Sequence, residues 1–326
     1  MNPFTYVRAT EASSAIRALG RDGHFLAGGT NLIDLMKMGI VTPEKLVDIN
    51  ALPLKRIEMT AAGLRIGALC TNSKVADHPL VLRHYPLLSM AFNAGASPQL
   101  RNMATVGGNM MQRTRCPYFF DTTLPCNKRI PGSGCGALEG YNRMHAIFGA
   151  SDKCIAVNPS DMSIALTALE ATVHIQGARG GRILPFADFH RLPGDTPEKD
   201  NALEPGELIT SLTLPLSAFS DHVHYLKIRD RTSYAFALVS VAAALQLDGG
   251  NVHAARLVMG GVAHKPWRLG AAEDFLRGKP ATVENFRKAA SLAMRGAKAY
   301  AYNQFKLTLA PNAIVQALKT ASGVTA

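Results

Sequence analysis

Two short glycine turns, Ala27-Gly28-Gly29-Thr30-Asn31 and Thr105-Val106-Gly107-Gly108-Asn109, constrain this chain more than any other feature. Glycine reaches φ > 0 without steric cost and has no side chain to hold a ligand away, so each turn can aim bare backbone N–H groups at an anion. A neighbouring Thr or Asn adds a further donor. Gly-Gly is also ordinary turn punctuation. Here each pair follows an apolar approach, Phe25-Leu26 or Met103-Ala104, and leads into another apolar stretch, as a loop between packed elements should. Together they read as two halves of one clamp around the diphosphate of a flavin or nicotinamide dinucleotide.

Around the first turn the pattern is compact α/β. Thr10 is placed to cap a helix over residues 11–19 that Gly20 closes, and residues 24–27 are strand-like. A short helix over 32–38 would add its dipole to the anion site, and 45–49 is again strand. After Leu52 a second unit opens with strand-like 56–59 and 64–69, followed by helical 80–93, helical 159–171 and strand 172–176. Residues 194–205, polar and proline-rich, read as a surface loop. From about His222 the order changes to strands over 223–228, 235–247 and 252–259, then helices over 271–277, 283–299 and 312–321. Strands followed by helices predict a separate α+β domain.

The chain carries a formal charge of +11, which would suit an anionic cofactor, an acidic protein surface or nucleic acid. Its basic residues are dispersed. The only groups, 113–115, 127–129 and 227–231, have no interleaved aromatics of the kind that stack on bases, which argues against nucleic acid. No apolar run approaches the ~20 residues of a membrane span. The start lacks the regions of a secretory signal, so the residues alone predict a cytoplasmic location.

Four of the five cysteines, Cys116, Cys126, Cys135 and Cys154, fall in an irregular stretch between the second turn and the helix near 159, while Cys70 stands apart. Arg113, Arg115, Lys128 and Arg129 could lower their thiol pKa values or balance bound negative charge. The intervals of nine, eight and eighteen residues contain no C-x₂-C pair. Disulfides, unpaired structural cysteines, zinc and an iron–sulfur cluster therefore all stay open at this point.

Residues 99–109 and the turn at 27–31 together resemble the FAD-binding medium subunits of the molybdenum hydroxylases, the relatives of xanthine dehydrogenase and aldehyde oxidoreductase. The likeness continues through Asn158-Pro159-Ser160-Asp161, the stretch 207–215 and the stretch 257–266. It implies a two-subdomain FAD-binding fold of the vanillyl-alcohol oxidase type (residues 1–52 and 53–220), then a C-terminal α+β domain (221–326). The cysteine stretch, about 113–157, is similar to insertions that hold an extra 4Fe-4S cluster in the aldehyde oxidoreductase branch. Residue by residue, the resemblance implies that Leu26, Ala27, Gly28, Gly29, Thr30, Asn31, Leu32 and Ile33 wrap the FAD diphosphate. Thr105, Gly107, Gly108 and Asn109 would close it, with Asp161, Ile209 and Lys227 also touching the cofactor. Cys116, Cys126, Cys135 and Cys154 would ligate the cluster.

From the residues alone, Asp161 could equally cap its helix and Lys227 could face solvent. His24, His78, His145, His190 and His264 have no Ser or Cys partner in a recognisable motif and are expected to be surface or hydrogen-bonded histidines. Trp267 is expected to anchor the last domain.

The resemblance thus implies an electron-transfer subunit with no catalytic residue of its own. Electrons from an aldehyde oxidised on a molybdenum-bearing large subunit would pass through a 2Fe-2S small subunit, in a heterotrimer, to FAD and then to an outside acceptor. It further implies a periplasmic location reached by co-export with a signal-bearing partner. Two other readings of the residues are a self-contained flavin reductase or oxidase, and a zinc-stabilised assembly module without catalysis.

Overall fold

The computed structural model describes residues 1–216 and 219–324. Three sheets organise them. β1 (Thr5–Arg8), β2 (Gly23–Leu26) and β3 (Lys45–Asp48) form a parallel sheet in the order β1-β3-β2. Its helix Ala12–Leu19 buries Ala15 and Leu19, joining Ala9, Val47, Ile49 and Leu52 in a small core. The N-cap is Glu11, with no side-chain cap bond, rather than Thr10. Gly20, at φ +69°, ends this helix as expected.

The second sheet is antiparallel, β4 (Ile57–Thr60), β5 (Gly63–Gly67), β8 (Leu208–Leu214), β6 (Thr172–Gly177) and β7 (Gly180–Pro185) in that spatial order. Most of the chain between Gly67 and Thr172 is therefore an excursion between two strands of one sheet, and both the second glycine turn and the cysteine stretch lie on it. The helical region 80–93 divides into Pro79–His84 and Pro86–Ala94. Pro86 crowds the residue before it, and Tyr85 leaves helical geometry at φ −139° and ψ 49°. The helix near 159 spans only Asp161–Ala168, and Glu170 at φ +53° turns the chain into β6.

The third sheet is the antiparallel meander β9 (His222–Ile228), β10 (Val239–Asp248), β11 (Asn251–Gly260) and β12 (Trp267–Arg268), covered by helices Gly270–Leu276, Val283–Ala293 and Lys306–Ser322. β10 begins four residues later than its apolar pattern suggests, and helix Val283–Ala293 ends earlier, with the chain turning at Gly296, φ +81°. The last helix begins six residues before the expected start. Pro311 lies inside this helix, beyond its first turn, where the ring removes one i→i−4 hydrogen bond. Among the described residues no helix is long and apolar enough to cross a membrane.

The cysteine stretch is woven into these units. Phe119 and Cys126 pack with Leu35 of helix Leu32–Lys37. Ile147 and Phe148 sit in the core of the third sheet, where Phe148 stacks on Trp267 with ring centroids 5.1 Å apart. The tryptophan thus anchors the last domain to the cysteine stretch.

Candidate functional site

The two glycine turns meet. A Cβ on Gly28 would lie 1.9 Å from the carbonyl oxygen of Met103, two residues before the second turn, so only glycine permits this approach. Gly29 adopts φ +73°, which glycine takes without strain. The chain leaves β2 at Leu26, and from Gly28 to Leu32 five consecutive backbone N–H groups have no hydrogen-bond acceptor among the described residues. These groups form an anion-binding concavity, the kind that cradles phosphates. The helix that follows, Leu32–Lys37, is six residues long and adds little macrodipole, so the N–H groups themselves carry the site.

The second turn behaves differently, contrary to a symmetric clamp. Val106 N–H donates to Cys70 C=O, Gly107 N–H to Ala68 C=O and Asn109 N–H to Thr105 C=O, while Gly108 N–H reaches the Thr105 hydroxyl at 3.2 Å. Its donors are committed inside the protein. A Cβ on Gly107 would press tightly on Ala68 at 3.1 Å. One turn donates, and the other is a close-packed wall.

Between them opens a cleft of about 750 Å³, of the size that takes a cofactor. It is lined by Ala27, Gly28, Gly29, Thr30, Asn31 and Leu32 on one side, by Thr105, Gly107 and Gly108 on the other, and by Ile209 of β8. Leu26 and Ile33 are not on its surface; they pack behind Gly29. Asn109 is also withdrawn, its side chain accepting from the Ser160 hydroxyl at 2.7 Å.

Asp161 and Lys227 stand apart from this cleft. Ser160 caps the helix, its hydroxyl accepting from Ser163 N–H, so Asp161 is free of that duty. It instead pairs with Lys227 at 2.8 Å, with both side chains buried, and accepts from the Tyr225 hydroxyl at 2.8 Å. Lys227 also donates to Ala94 C=O and faces neither solvent nor the cleft. Asp161 lines a second cavity of about 130 Å³, shared with Arg115, Cys116, His145, Phe236 and Ser240. A narrow space lined by Met111, Thr114, Asn158, Asp200 and Asn201 borders both cavities.

Sequence reasoning missed the loop before β8. Residues 198–205 wall the large cleft instead of lying on the surface. Asp200 holds the loop in place, pairing with Lys128 at 2.5 Å and with Arg113 at 2.7 Å. Burial works to raise its pKa, but these two cations outweigh it and hold the carboxyl below the ordinary range. Lys128 is 2 % exposed and also donates to Pro197 C=O. Nothing in the loop's composition signals this, because the partners are distant in sequence.

The four cysteines come together. Cys116, Cys126, Cys135 and Cys154 line one small space with Phe119, Lys128 and Ala156, all as free thiols. Cys126 and Cys135 face each other across an isolated antiparallel bridge. Burial pushes the Cys116 thiol up to about 12 and the Cys154 thiol to about 11. Four cysteines lining one space, Cys126 and Cys154 buried and Cys116 and Cys135 partly buried, are a soft donor set for a thiophilic metal group. Among the described residues no three His, Cys, Asp or Glu side chains converge as around a single metal ion. The fifth cysteine, Cys70, is buried elsewhere.

The histidines divide by environment. His145, His190 and His264 are buried, and burial lowers each to about 4. His190 Nε2 meets Met110 C=O at 2.9 Å and His264 Nδ1 meets Arg191 C=O at 2.8 Å. His145 Nε2 lies 3.1 Å from Cys116 Sγ. His24 lies on the large cleft, and the side chain of His78 accepts from Leu80 N–H at a helix start.

A parallel α/β unit joined to an antiparallel sheet around a cleft with a donor-rich glycine turn defines a dinucleotide-binding flavoprotein. Residues 2–217 match the FAD binding domain in molybdopterin dehydrogenase and residues 224–321 the CO dehydrogenase flavoprotein C-terminal domain; the chain belongs to this family of FAD-binding oxidoreductase subunits. It is 51% identical to the aldehyde oxidoreductase FAD-binding subunit of Escherichia coli (strain K12), over 98% of this chain and 99% of that one. It is 30% identical to the glyceraldehyde dehydrogenase medium chain of Sulfolobus acidocaldarius, over 85% and 82%. Among solved structures, carbon monoxide dehydrogenase from Hydrogenophaga pseudoflava superposes with a TM-score of 0.77 at 26% identity, covering 100% of this chain and 99% of that one.

Proposed function

We propose that this chain is the FAD- and 4Fe-4S-bearing medium subunit of a molybdenum-dependent aldehyde oxidoreductase. The observation that carries the reading is that the donor turn's cleft abuts four unpaired thiols, Leu35 of the cleft packing on Cys126 and Asp200 pairing with Lys128, on a chain half identical to an aldehyde oxidoreductase FAD subunit. Bound FAD would accept electrons and release them in pairs to an external acceptor. The chain's own residues bind and orient: the N–H groups of 28–32 face the diphosphate, Ile209 and the wall at 105–108 shape the cleft, and Asp200 closes it.

Cys116, Cys126, Cys135 and Cys154, which line one small space, would be the thiolate ligands of the cluster. The Cys135 loop turns through Gly132 at φ +86° and Gly134 at φ +99° and is tied to the Cys126 segment, with Gly134 N–H donating to Asn127 Oδ1 at 2.8 Å.

We assign aldehyde oxidation to a molybdenum-bearing large partner subunit, and a 2Fe-2S small subunit would complete a heterotrimer. The names of the relatives, "medium chain" and "FAD-binding subunit", support assembly with other chains. We place the complex in the periplasm by co-export with a signal-bearing partner.

The test is anaerobic purification of the full chain with flavin and iron analysis. Flavin bands with a broad, dithionite-bleachable shoulder are expected. Cys135→Ser should lose most of the iron and the shoulder but keep FAD. Unchanged iron in that variant refutes the cage, and a preparation that takes up no flavin refutes the whole reading.

A further inference from the structure

We infer that His145 is a positioning residue for the proposed iron–sulfur centre: its Nε2–H donates to the Cys116 sulfur and raises the centre's reduction potential. The inference rests on the cage reading given above. Cys116 Sγ lies 3.1 Å from Nε2, within the range of a hydrogen bond to sulfur. The opposite ring nitrogen, Nδ1, is buried with no partner among the described residues, so the sulfur is the ring's one polar contact among them. A histidine kept for packing alone would have no reason to present its one polar contact to a thiol.

The backbone of His145 is fixed on three sides, which removes freedom from the ring. Its N–H donates to Asn142 C=O at 3.0 Å. Its carbonyl accepts from the Lys306 ammonium at 2.9 Å and from the Asn303 amide at 3.2 Å. Lys306 is wholly buried and its hydrogen-bond acceptors are two backbone carbonyls, of His145 and Gly261. Tyr118, itself at the cage, lies against the imidazole with centroids 6.3 Å apart. Such a clamped donor is pre-organised and need not reorient when charge arrives.

Ligation makes Cys116 a thiolate, a pure acceptor, and this selects the tautomer that carries hydrogen on Nε2. Reduction adds one electron to the centre and breaks no bond. The extra negative charge is spread over its sulfurs, so a donor aimed at one of them favours the reduced state. His145 also lines the 130 Å³ cavity together with Cys116 and Asp161.

The experiment uses the full-length chain, reconstituted anaerobically with iron, sulfide and FAD, and followed by potentiometric EPR of the cluster. His145→Leu is expected to keep its iron and lower the reduced-to-oxidised ratio at a fixed potential about tenfold, a shift of about 59 mV for one electron. His145→Gln, which can return an N–H to the sulfur, is expected to recover at least half of that shift. Intact iron with a potential unchanged in His145→Leu overturns the inference. If His145→Leu loses its iron, His145→Gln decides alone: it must hold the cluster within about threefold of the wild-type ratio, and any larger loss overturns the inference. Absence of any cluster signal in the wild-type chain would overturn the cage reading and with it this inference.

Discussion

Substituting Gly28 by alanine tests the clamp at its tightest point. The added Cβ would meet Met103 O at 1.9 Å, Met103 C at 2.7 Å and Ala104 Cα at 3.3 Å, and all three are backbone atoms that no rotamer change can remove. Real Cβ atoms essentially never approach within 3.0 Å, so the turns must separate by about 1 Å. Overpacking of this kind costs about 1–3 kcal/mol. If that cost falls on the arrangement that presents the N–H groups of 28–32, FAD affinity drops roughly 5- to 150-fold. The assay titrates apoprotein with FAD by fluorescence quenching and records Tm with and without FAD. Gly270→Ala, at a helix start with nothing within 4 Å of the new methyl, is the control and should leave both unchanged or slightly improved. Wild-type FAD affinity in Gly28→Ala would refute the reasoning. Loss of Tm with affinity intact would mean that the contact is structural and the diphosphate lies elsewhere.

Two further outcomes follow from the buried charges. Asp200→Asn strips Lys128 and Arg113 of their carboxylate, and breaking a buried pair this way should cost about 3–5 kcal/mol in urea unfolding. Because the folded pKa of Asp200 lies below its unfolded value near 3.9, its contribution is present above that pH and is lost as pH falls through the folded pKa; the variant should flatten the acid limb below about pH 4. Lys306 moves the opposite way: burial, then Arg143, lowers it to about 7 from an unfolded value near 10.5. Between those values the unfolded chain binds the extra proton, so stability rises with pH across that window, and Lys306→Met should remove the rise in a series of Tm measurements. An identical pH slope in the variant would contradict the assignment.

How much of this was legible in the sequence depends on how local each signal is. The glycine turns, the strands around them and the end of the first helix at Gly20 are written in neighbouring residues. Helix limits that depend on a single neighbour, such as the break that Pro86 imposes on Tyr85, were present in the sequence but masked by a continuous apolar run. The asymmetry of the clamp was not readable at all. Whether Gly107 N–H is bare depends on Ala68 C=O, which belongs to a different element. The same is true of Lys227, whose strand position suited solvent exposure until Asp161 and Ala94 were brought beside it. The loop at 198–205 had the composition of a surface segment and became a cleft wall through Lys128, some seventy residues away.

Because Ile147 and Phe148 sit in the core of the third sheet and Phe148 stacks on Trp267, the cysteine-bearing excursion is not a removable cassette. Excising it to mimic a shorter relative would gouge a hydrophobic hollow in a distant unit and strand Lys306 without its acceptor at residue 145. Transplanting it into a shorter scaffold would fail unless matching contacts were grafted on the recipient's far side.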